Sequence, residues 1–144
     1  MAFGMVMSAA VQGLHVEMIH VEADVSNGLP MFHMVGYLSS GVKEASERVR
    51  TAIRNTGIQI PARKVVVNLA PATMRKKGSS FDLPIALAVL AALDLIPRQA
   101  LEGTAVVGEL GLDGRVQKVS GVLPVAAAVK EAGIRRLILP VENM

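Results

Sequence analysis

Residues 15–26 read His15-Val-Glu-Met-Ile-His-Val-Glu-Ala-Asp-Val-Ser26, with an apolar residue at every second position from Ile19 to Val25. Because side chains alternate between the two faces of a strand, this spacing predicts a strand with one buried face. The Asn27-Gly28 pair that follows favours a tight turn, since both residues readily adopt positive φ. We therefore expect the chain to begin with three strands, over Met5–Gly13, His15–Ser26 and Met31–Val35.

Three later segments have the patterns of helices. Apolar residues at helical spacing run from Val42 to Ile53, and Gly57 stands where a left-handed residue ends a helix. The almost continuously apolar stretch Phe81–Leu95 predicts a helix enclosed by the core. A third helix is predicted over Val122–Ala132, with a proline in its first turn and a glycine just after its end.

The remaining apolar stretches complete an α/β pattern. Strands are predicted at Lys64–Leu69 and Arg136–Leu139, and a hairpin at Ala105–Leu112 and Arg115–Val119, around the turn dipeptide Asp113-Gly114. The order β-β-β-α-β-α-β-β-α-β predicts one α/β domain over residues 1–144, an α+β sandwich in which helices cover a mixed sheet.

Composition excludes several classes of protein. The chain has 144 residues, of which 51% are hydrophobic and 19% charged, so it is neither disordered nor a long coiled coil. It has no cysteine and therefore no disulfide, thiolate nucleophile or Cys-ligated zinc. The longest apolar run, Ile85–Leu93, is too short to span a membrane, which takes about 20 residues. The N-terminus lacks the basic residues of a signal peptide, and we expect a cytoplasmic protein without a membrane partner.

Charge is concentrated in one block. Residues 43–77 hold nine basic and two acidic residues, a net charge of +7, whereas residues 1–42 have a net charge of −3. Such a block attracts polyanions, but solvated helix faces produce the same pattern, and Glu44 and Arg48 have the i,i+4 spacing of an exposed helical pair. With three Phe and one Tyr, the chain offers few aromatic side chains for stacking on bases.

Known nucleotide and metal motifs are absent. The chain has neither the phosphate-binding Gly-x-x-x-x-Gly-Lys-Ser/Thr pattern nor Gly-x-Gly-x-x-Gly, so we expect it to hold no cofactor and not to hydrolyse ATP by itself. Its three histidines, without cysteine, do not predict a metal site.

The segment Arg75-Lys-Lys-Gly-Ser-Ser-Phe-Asp-Leu-Pro84 places three cations and a glycine immediately before the second predicted helix. Three interpretations remain open. The basic loop contacts phosphate, because helix N-termini attract anions. Ser80 acts as a nucleophile activated by a nearby base. In the structural alternative, Ser79 or Ser80 caps the helix and the lysines are solvated.

Strings along nearly the whole chain resemble the N-terminal domain of bacterial magnesium-chelatase-like AAA+ proteins, the YifB/ComM family. They occur in the family's order and comprise Val21–Pro30, Val42–Ile53, Val67–Ala72, Gly78–Ala86, Val107–Leu110, Leu112–Gly114, Gly121–Pro124 and Lys130–Ile134.

The resemblance implies the fold of the Lon proteolytic domain, which is also that of the second domain of ribosomal small-subunit protein five. It further implies that an AAA+ module, with ATP and Mg, follows in a longer parent protein. The ComM branch implies hexamers that drive DNA branch migration in competence. The expected partners are then the chain's own AAA+ module and neighbouring subunits of a homo-oligomer, with DNA a further candidate.

The similarity to Lon also allows the residues of its Ser-Lys dyad to be compared with this chain. Lon-type enzymes use a Ser in Gly-Pro-Ser-Ala-Gly and a Lys after Gly-Gly-Leu; here Ser80 matches the serine, but Leu123 stands at the lysine position. Since leucine cannot accept a proton, Ser80 is expected to be vestigial and the domain to be a non-catalytic accessory that aids oligomerisation or DNA engagement. The alternatives are a Lon-like Ser-Lys peptidase and a purely structural domain that packs the ring. The predicted phosphate contacts are Arg75, Lys76 and Lys77, with Arg63 and Lys64 as weaker candidates.

Overall fold

The computed structural model describes residues 2–144. The strands are β1 (Ala2–Gln12), β2 (His15–Ser26), β3 (Met31–Val35), β4 (Lys64–Ala70), β5 (Thr104–Val106), β6 (Glu109–Leu110), β7 (Val116–Gln117) and β8 (Arg136–Ile138). The helices are α1 (Ser40–Lys43), α2 (Ala45–Asn55), α3 (Asp82–Ala92) and α4 (Val122–Glu131), with short 3₁₀ turns at Arg98–Leu101 and Val141–Asn143.

A long antiparallel hairpin of β1 and β2 forms the centre of the fold. Its register runs from Ala2 opposite Val25 to Gln12 opposite His15, and a two-residue turn closes it. The alternation in β2 buries the predicted side chains Ile19, Val21, Ala23 and Val25 completely or nearly so.

Six strands form one mixed sheet in the order β3-β4-β2-β1-β5-β8. The central strands β4, β2 and β1 are antiparallel to their neighbours within that group, whereas β3, β5 and β8 add in parallel. The predicted α/β domain, with helices on a mixed sheet, is therefore confirmed.

One predicted strand is interrupted. Residues 105–112 were expected to be continuous, but β5 ends at Val106 and β6 begins only at Glu109. At the break, Gly108 donates its N–H to the Ser80 carbonyl at 2.9 Å and accepts a hydrogen bond from the Leu83 N–H at 3.0 Å. This exchange ties the chain to the start of α3, and β6 then pairs with β7 around the predicted Asp113-Gly114 turn.

The helices cover the two faces of the sheet unequally. Helix α3 packs on β1 so closely that a Cβ at Gly4 would lie 2.4 Å from the Ala88 carbonyl oxygen, and eight of its eleven residues are buried. Helix α2 packs on the same face, whereas α4 packs Val125 and Val129 against Ala9 on the other. Of the helices in residues 2–144, none combines the length and hydropathy needed to cross a membrane.

Candidate functional site

A cleft of about 730 Å³ opens where the segments before α3 and α4 approach the end of β1. Lys77 to Ser80 form one wall, Lys118 to Val122 another, and Ala9 to Gln12 the third. The two segments matched to the Lon serine and lysine positions are thus brought together, although about forty residues separate them in sequence.

A Ser-Lys dyad requires the hydroxyl and the amine to be in contact. A general base must lie within about 2.6–3.2 Å of the nucleophile it deprotonates. Within residues 2–144, no hydrogen bond joins Ser80 Oγ to an amine, although Lys77 and Lys118 line the same cleft. Leu123 does not line it, and 84% of its surface is exposed.

The neighbouring Ser79 makes a tertiary contact. Its hydroxyl donates to a carboxylate oxygen of Glu109 on β6, beside the N-terminus of α3. The N-cap residue of α3 is Phe81, and no side chain makes a capping hydrogen bond there. Of the three interpretations left open, the one in which Ser79 or Ser80 caps this helix is therefore wrong, since Phe81 takes the N-cap position and the Ser79 hydroxyl donates to Glu109.

A buried ion pair between Arg48 and Asp82 lies next to this contact. Arg48 of α2 donates from Nε and Nη2 to the two carboxylate oxygens of Asp82, at 2.8 and 2.9 Å, and also donates to the Gly41 carbonyl at 2.9 Å. Asp82 is fully buried and accepts a further hydrogen bond from the Leu110 N–H at 3.1 Å. This one carboxylate therefore joins α2, α3 and β6.

Burial raises the pKa of the Asp82 carboxyl, while Arg48 and the Leu110 amide oppose that shift. The hydrogen bond to Asp82 raises the pKa of Arg48. The i,i+4 spacing of Glu44 and Arg48 predicted an exposed helical pair and gave no indication of the Asp82 partner. The available signal was Asp82 itself, a carboxylate leading an apolar helix, because a buried charge requires a counter-charge.

Lys76 has to be removed from the predicted phosphate contacts. Its side chain is fully buried and its ammonium donates to the Pro71 carbonyl. Its backbone is also held, by hydrogen bonds that link Lys76 with Tyr37 at 2.8 Å and Ser39 at 2.9 Å. Burial lowers the pKa of this ammonium. An amine enclosed in this way does not reach a phosphate on the surface.

The other predicted cations are exposed but lie on two surfaces. Lys77 lines the cleft, whereas Arg75 is joined to it through its backbone, since the Arg75 carbonyl accepts a hydrogen bond from the lining residue Gln12 at 3.1 Å. Arg63 and Lys64 lie at the opposite end of β4, a strand of seven residues. At about 3.3 Å per residue this strand is about 20 Å long, and Arg75 and Lys77 follow its other end, so the two groups lie at different ends of the strand.

Within residues 2–144, no three His, Asp or Glu side chains are placed to hold a metal ion together. The polar side chains that line the cleft are those of Gln12, Lys77, Ser79, Ser80, Lys118 and Ser120, and Glu109 accepts the hydrogen bond from Ser79.

Residues 21–143 match the family model described as "Subunit ChlI of Mg-chelatase". The chain is 43% identical over 143 residues to the uncharacterized protein YifB of Salmonella typhimurium and 40% identical over 143 residues to the competence protein ComM of Haemophilus influenzae. Both alignments cover 99% of this chain but 28% of the relative, so the chain spans less than a third of their length.

A more distant similarity connects the chain with proteases. It is 33% identical over 110 residues to the archaeal Lon protease of Methanothermobacter thermautotrophicus, covering 76% of this chain and 17% of that protein. The family-model match over residues 21–143 and the similarity to YifB and ComM show that the chain belongs to the Mg-chelatase subunit ChlI family and corresponds to the ChlI-like domain of its YifB/ComM proteins.

Proposed function

We propose that this domain is a non-catalytic accessory module of a ComM-like AAA+ ATPase, and that it engages DNA phosphates through the rim of its cleft. ATP and Mg are assigned to the parent protein beyond this chain, because the chain itself has no phosphate-binding glycine motif. Membership in the ChlI family and similarity to the competence protein ComM support this role.

The proposal that the domain is not a peptidase rests on the two residues at the Lon-like positions, Ser80 and Leu123. Ser80 faces the cleft, whereas Leu123 supplies no proton acceptor and is directed to solvent. Without a base in contact, a serine hydroxyl is a weak nucleophile at neutral pH. Casein should therefore be left intact by the chain, and Ser80→Ala should not change that result. Cleavage that Ser80→Ala abolishes would instead establish the Lon-like peptidase alternative.

Exposed cations other than the buried Lys76 support the proposed binding of DNA. Lys77 and Lys118 line the cleft, and the exposed Arg75 lies two residues before Lys77. Contacts from such side chains to phosphates set affinity without reading sequence. Each phosphate neutralised on duplex DNA adds about 0.9 to the slope of log affinity against log salt.

Fluorescence anisotropy with a labelled 20-base-pair duplex, at several salt concentrations between 50 and 200 mM, tests this assignment. The double variant Arg75→Ala, Lys77→Ala should bind more weakly and lose about 2 from the salt slope. The control Lys130→Ala, Arg135→Ala removes the same charge from exposed residues elsewhere and should keep the slope. Equal slopes for the two variants, or no binding at low salt, would exclude the proposed contacts.

Subunit packing is the second candidate role, and Leu123 favours it. Leu123 has 84% of its surface exposed, and in this role a neighbouring subunit would bury it. Light scattering of a full-length relative with and without the region equivalent to residues 1–144 distinguishes the roles. Loss of the oligomer on deletion supports packing, whereas an unchanged mass leaves DNA engagement as the role.

A further inference from the structure

We propose that the free edge of β3 and the groove beside it bind an extended acidic segment of a partner protein, which adds to the sheet as a seventh strand. This surface lies away from the cleft and is independent of the function proposed above.

The edge of β3 is open. In residues 2–144 this strand is the outermost of the six and pairs only with β4. The Met31 N–H is directed to the Arg63 carbonyl beside β4, at 3.4 Å. The backbone groups of successive residues point to opposite sides of a strand. Since those of Met31 point toward β4, those of Phe32 and Met34 point away from β4, to the open edge. Two N–H groups and two carbonyls are thus presented to a further strand.

This edge also lacks the features that usually prevent strand addition. Natural sheets protect their edges with lysines, prolines or bulges. Residues 31–35 read Met-Phe-His-Met-Val, without Lys, Arg, Asp, Glu or Pro, and their pairing with β4 is continuous. The strand is therefore a template for main-chain pairing, as in the addition of a peptide strand to a sheet edge.

A groove of about 360 Å³ lies between this edge, α2 and residues 59–62. Its apolar lining includes Met31, Phe32, Ile60 and Val65. Alternate side chains of an added strand would point toward this groove, since a strand directs every second residue to the same face. An apolar side chain of the partner therefore has a site to occupy.

The charge around the groove identifies the partner as acidic. Arg50 and Arg54, one helical turn apart on α2, line the groove, and the exposed Arg63 lies at the start of β4. The Arg50 guanidinium lies 6.0 Å from the centre of the Phe32 ring and 3.0 Å from an exposed Glu47 carboxylate, a contact that contributes little in water. Within residues 2–144, no carboxylate lies within 4 Å of the Arg54 or Arg63 side chains.

A protein strand fits this surface better than a nucleic acid does. The outward N–H and carbonyl groups alternate, and only another polypeptide backbone pairs with both. The Phe32 ring, the aromatic group at this surface, is partly buried with Arg50 above it, so it offers no open face for a base to stack on.

The test uses the 144-residue chain and a fluorescein-labelled ten-residue peptide in which valine alternates with aspartate or glutamate. Three comparison probes are the same peptide with alternate backbone nitrogens methylated, a version with lysine in place of the acids, and a labelled dT oligonucleotide. Anisotropy should show binding of the acidic peptide and at least about tenfold weaker binding of the methylated one, which lacks the pairing donors. In two-dimensional NMR, the Phe32 and Met34 amides should become protected from exchange.

The protein-side variant is Arg50→Glu, Arg54→Glu, compared with Lys130→Glu, Arg135→Glu, which changes the net charge equally on another surface. The first should weaken peptide binding at least about tenfold and the second by less than about twofold, because only the first faces the bound strand. Circular dichroism verifies that both variants are folded.

Several outcomes would overturn the proposal. Equal binding of the methylated peptide would exclude strand addition, and equal binding of the lysine peptide would exclude charge complementarity. Tighter binding of the oligonucleotide, lost in Arg50→Glu, Arg54→Glu, would identify a nucleic-acid surface instead. A dimer detected by light scattering whose mass falls on addition of the acidic peptide would identify a second copy of this chain as the occupant.

Discussion

Asparagine in place of Asp82 removes the charge of the buried carboxylate while keeping its size. The carboxylate accepts two hydrogen bonds from Arg48 and one from the Leu110 amide. Removing one member of a fully buried ion pair costs about 3–5 kcal/mol. The Arg48 side chain retains 24% exposure, so water partly compensates the guanidinium left behind. We therefore expect Asp82→Asn to lower the free energy of unfolding by about 3 kcal/mol, the low end of that range.

Urea unfolding followed by far-UV circular dichroism measures this change, and a double-mutant cycle isolates the pair. Arg48→Met should cost about as much as Asp82→Asn, whereas the double variant should cost less than the sum by about 2 kcal/mol, the coupling of two residues in contact. Arg54→Met is the matched control, because it removes an exposed arginine from the same helix and should change stability by less than about 0.5 kcal/mol.

The pH dependence of Arg48→Met gives a second readout. Burial raises the pKa of Asp82, and this variant lacks the cation that opposes the shift. The folded form then binds the proton more tightly than the unfolded form, so its stability should fall as pH rises from about 4 toward neutrality. Costs under about 1 kcal/mol for each single substitution, or two costs that simply add, would show that Arg48 and Asp82 are not coupled in this way.

Three further predictions concern single residues. Because burial lowers the pKa of Lys76 below its ordinary value of 10.5, the folded chain releases this proton before the unfolded chain does. Stability should therefore rise with pH up to about 10.5 in the unsubstituted chain, and urea titrations of Lys76→Met should lack that rise. Gly4→Ala should destabilise the chain by about 1–3 kcal/mol, since its Cβ would meet the Ala88 carbonyl oxygen at 2.4 Å; an unchanged melting temperature would contradict the packing of α3 on β1. Ser80→Ala should leave stability within about 0.5 kcal/mol, because its side chain lines the open cleft, and a larger loss in urea would reveal a partner for its hydroxyl.

Local patterns predicted most of the elements. The alternation of Ile19, Val21, Ala23 and Val25 predicted β2 with its bounds, since a half-buried strand requires period two. The apolar run after Phe81 predicted a core helix, although α3 ends at Ala92 rather than Leu95, before a left-handed Asp94. The break between β5 and β6 was missed, because it depends on hydrogen bonds between Gly108 and the start of α3.

The candidate site was predictable only in part. The resemblance placed Ser80 and the segment before α4 at matching Lon positions, and they do line one cleft. Sequence distance gave no indication that the Arg48 guanidinium reaches Asp82, 34 residues away. Nor did three adjacent cations reveal that the middle one is buried, because backbone hydrogen bonds to Tyr37 and Ser39 hold Lys76 inward.

By itself, the order of residues determined the periodicities, the turn at Asp113-Gly114 and the absence of a phosphate-binding motif, since each depends on neighbours within a few positions. Tertiary structure alone decided which charges are paired, buried or exposed, and which strand edge stays open. The physical reason is that desolvation and pairing depend on groups that chain folding brings together from distant positions. Lys76 and Lys77, adjacent in sequence, therefore differ completely in the surroundings of their ammonium groups.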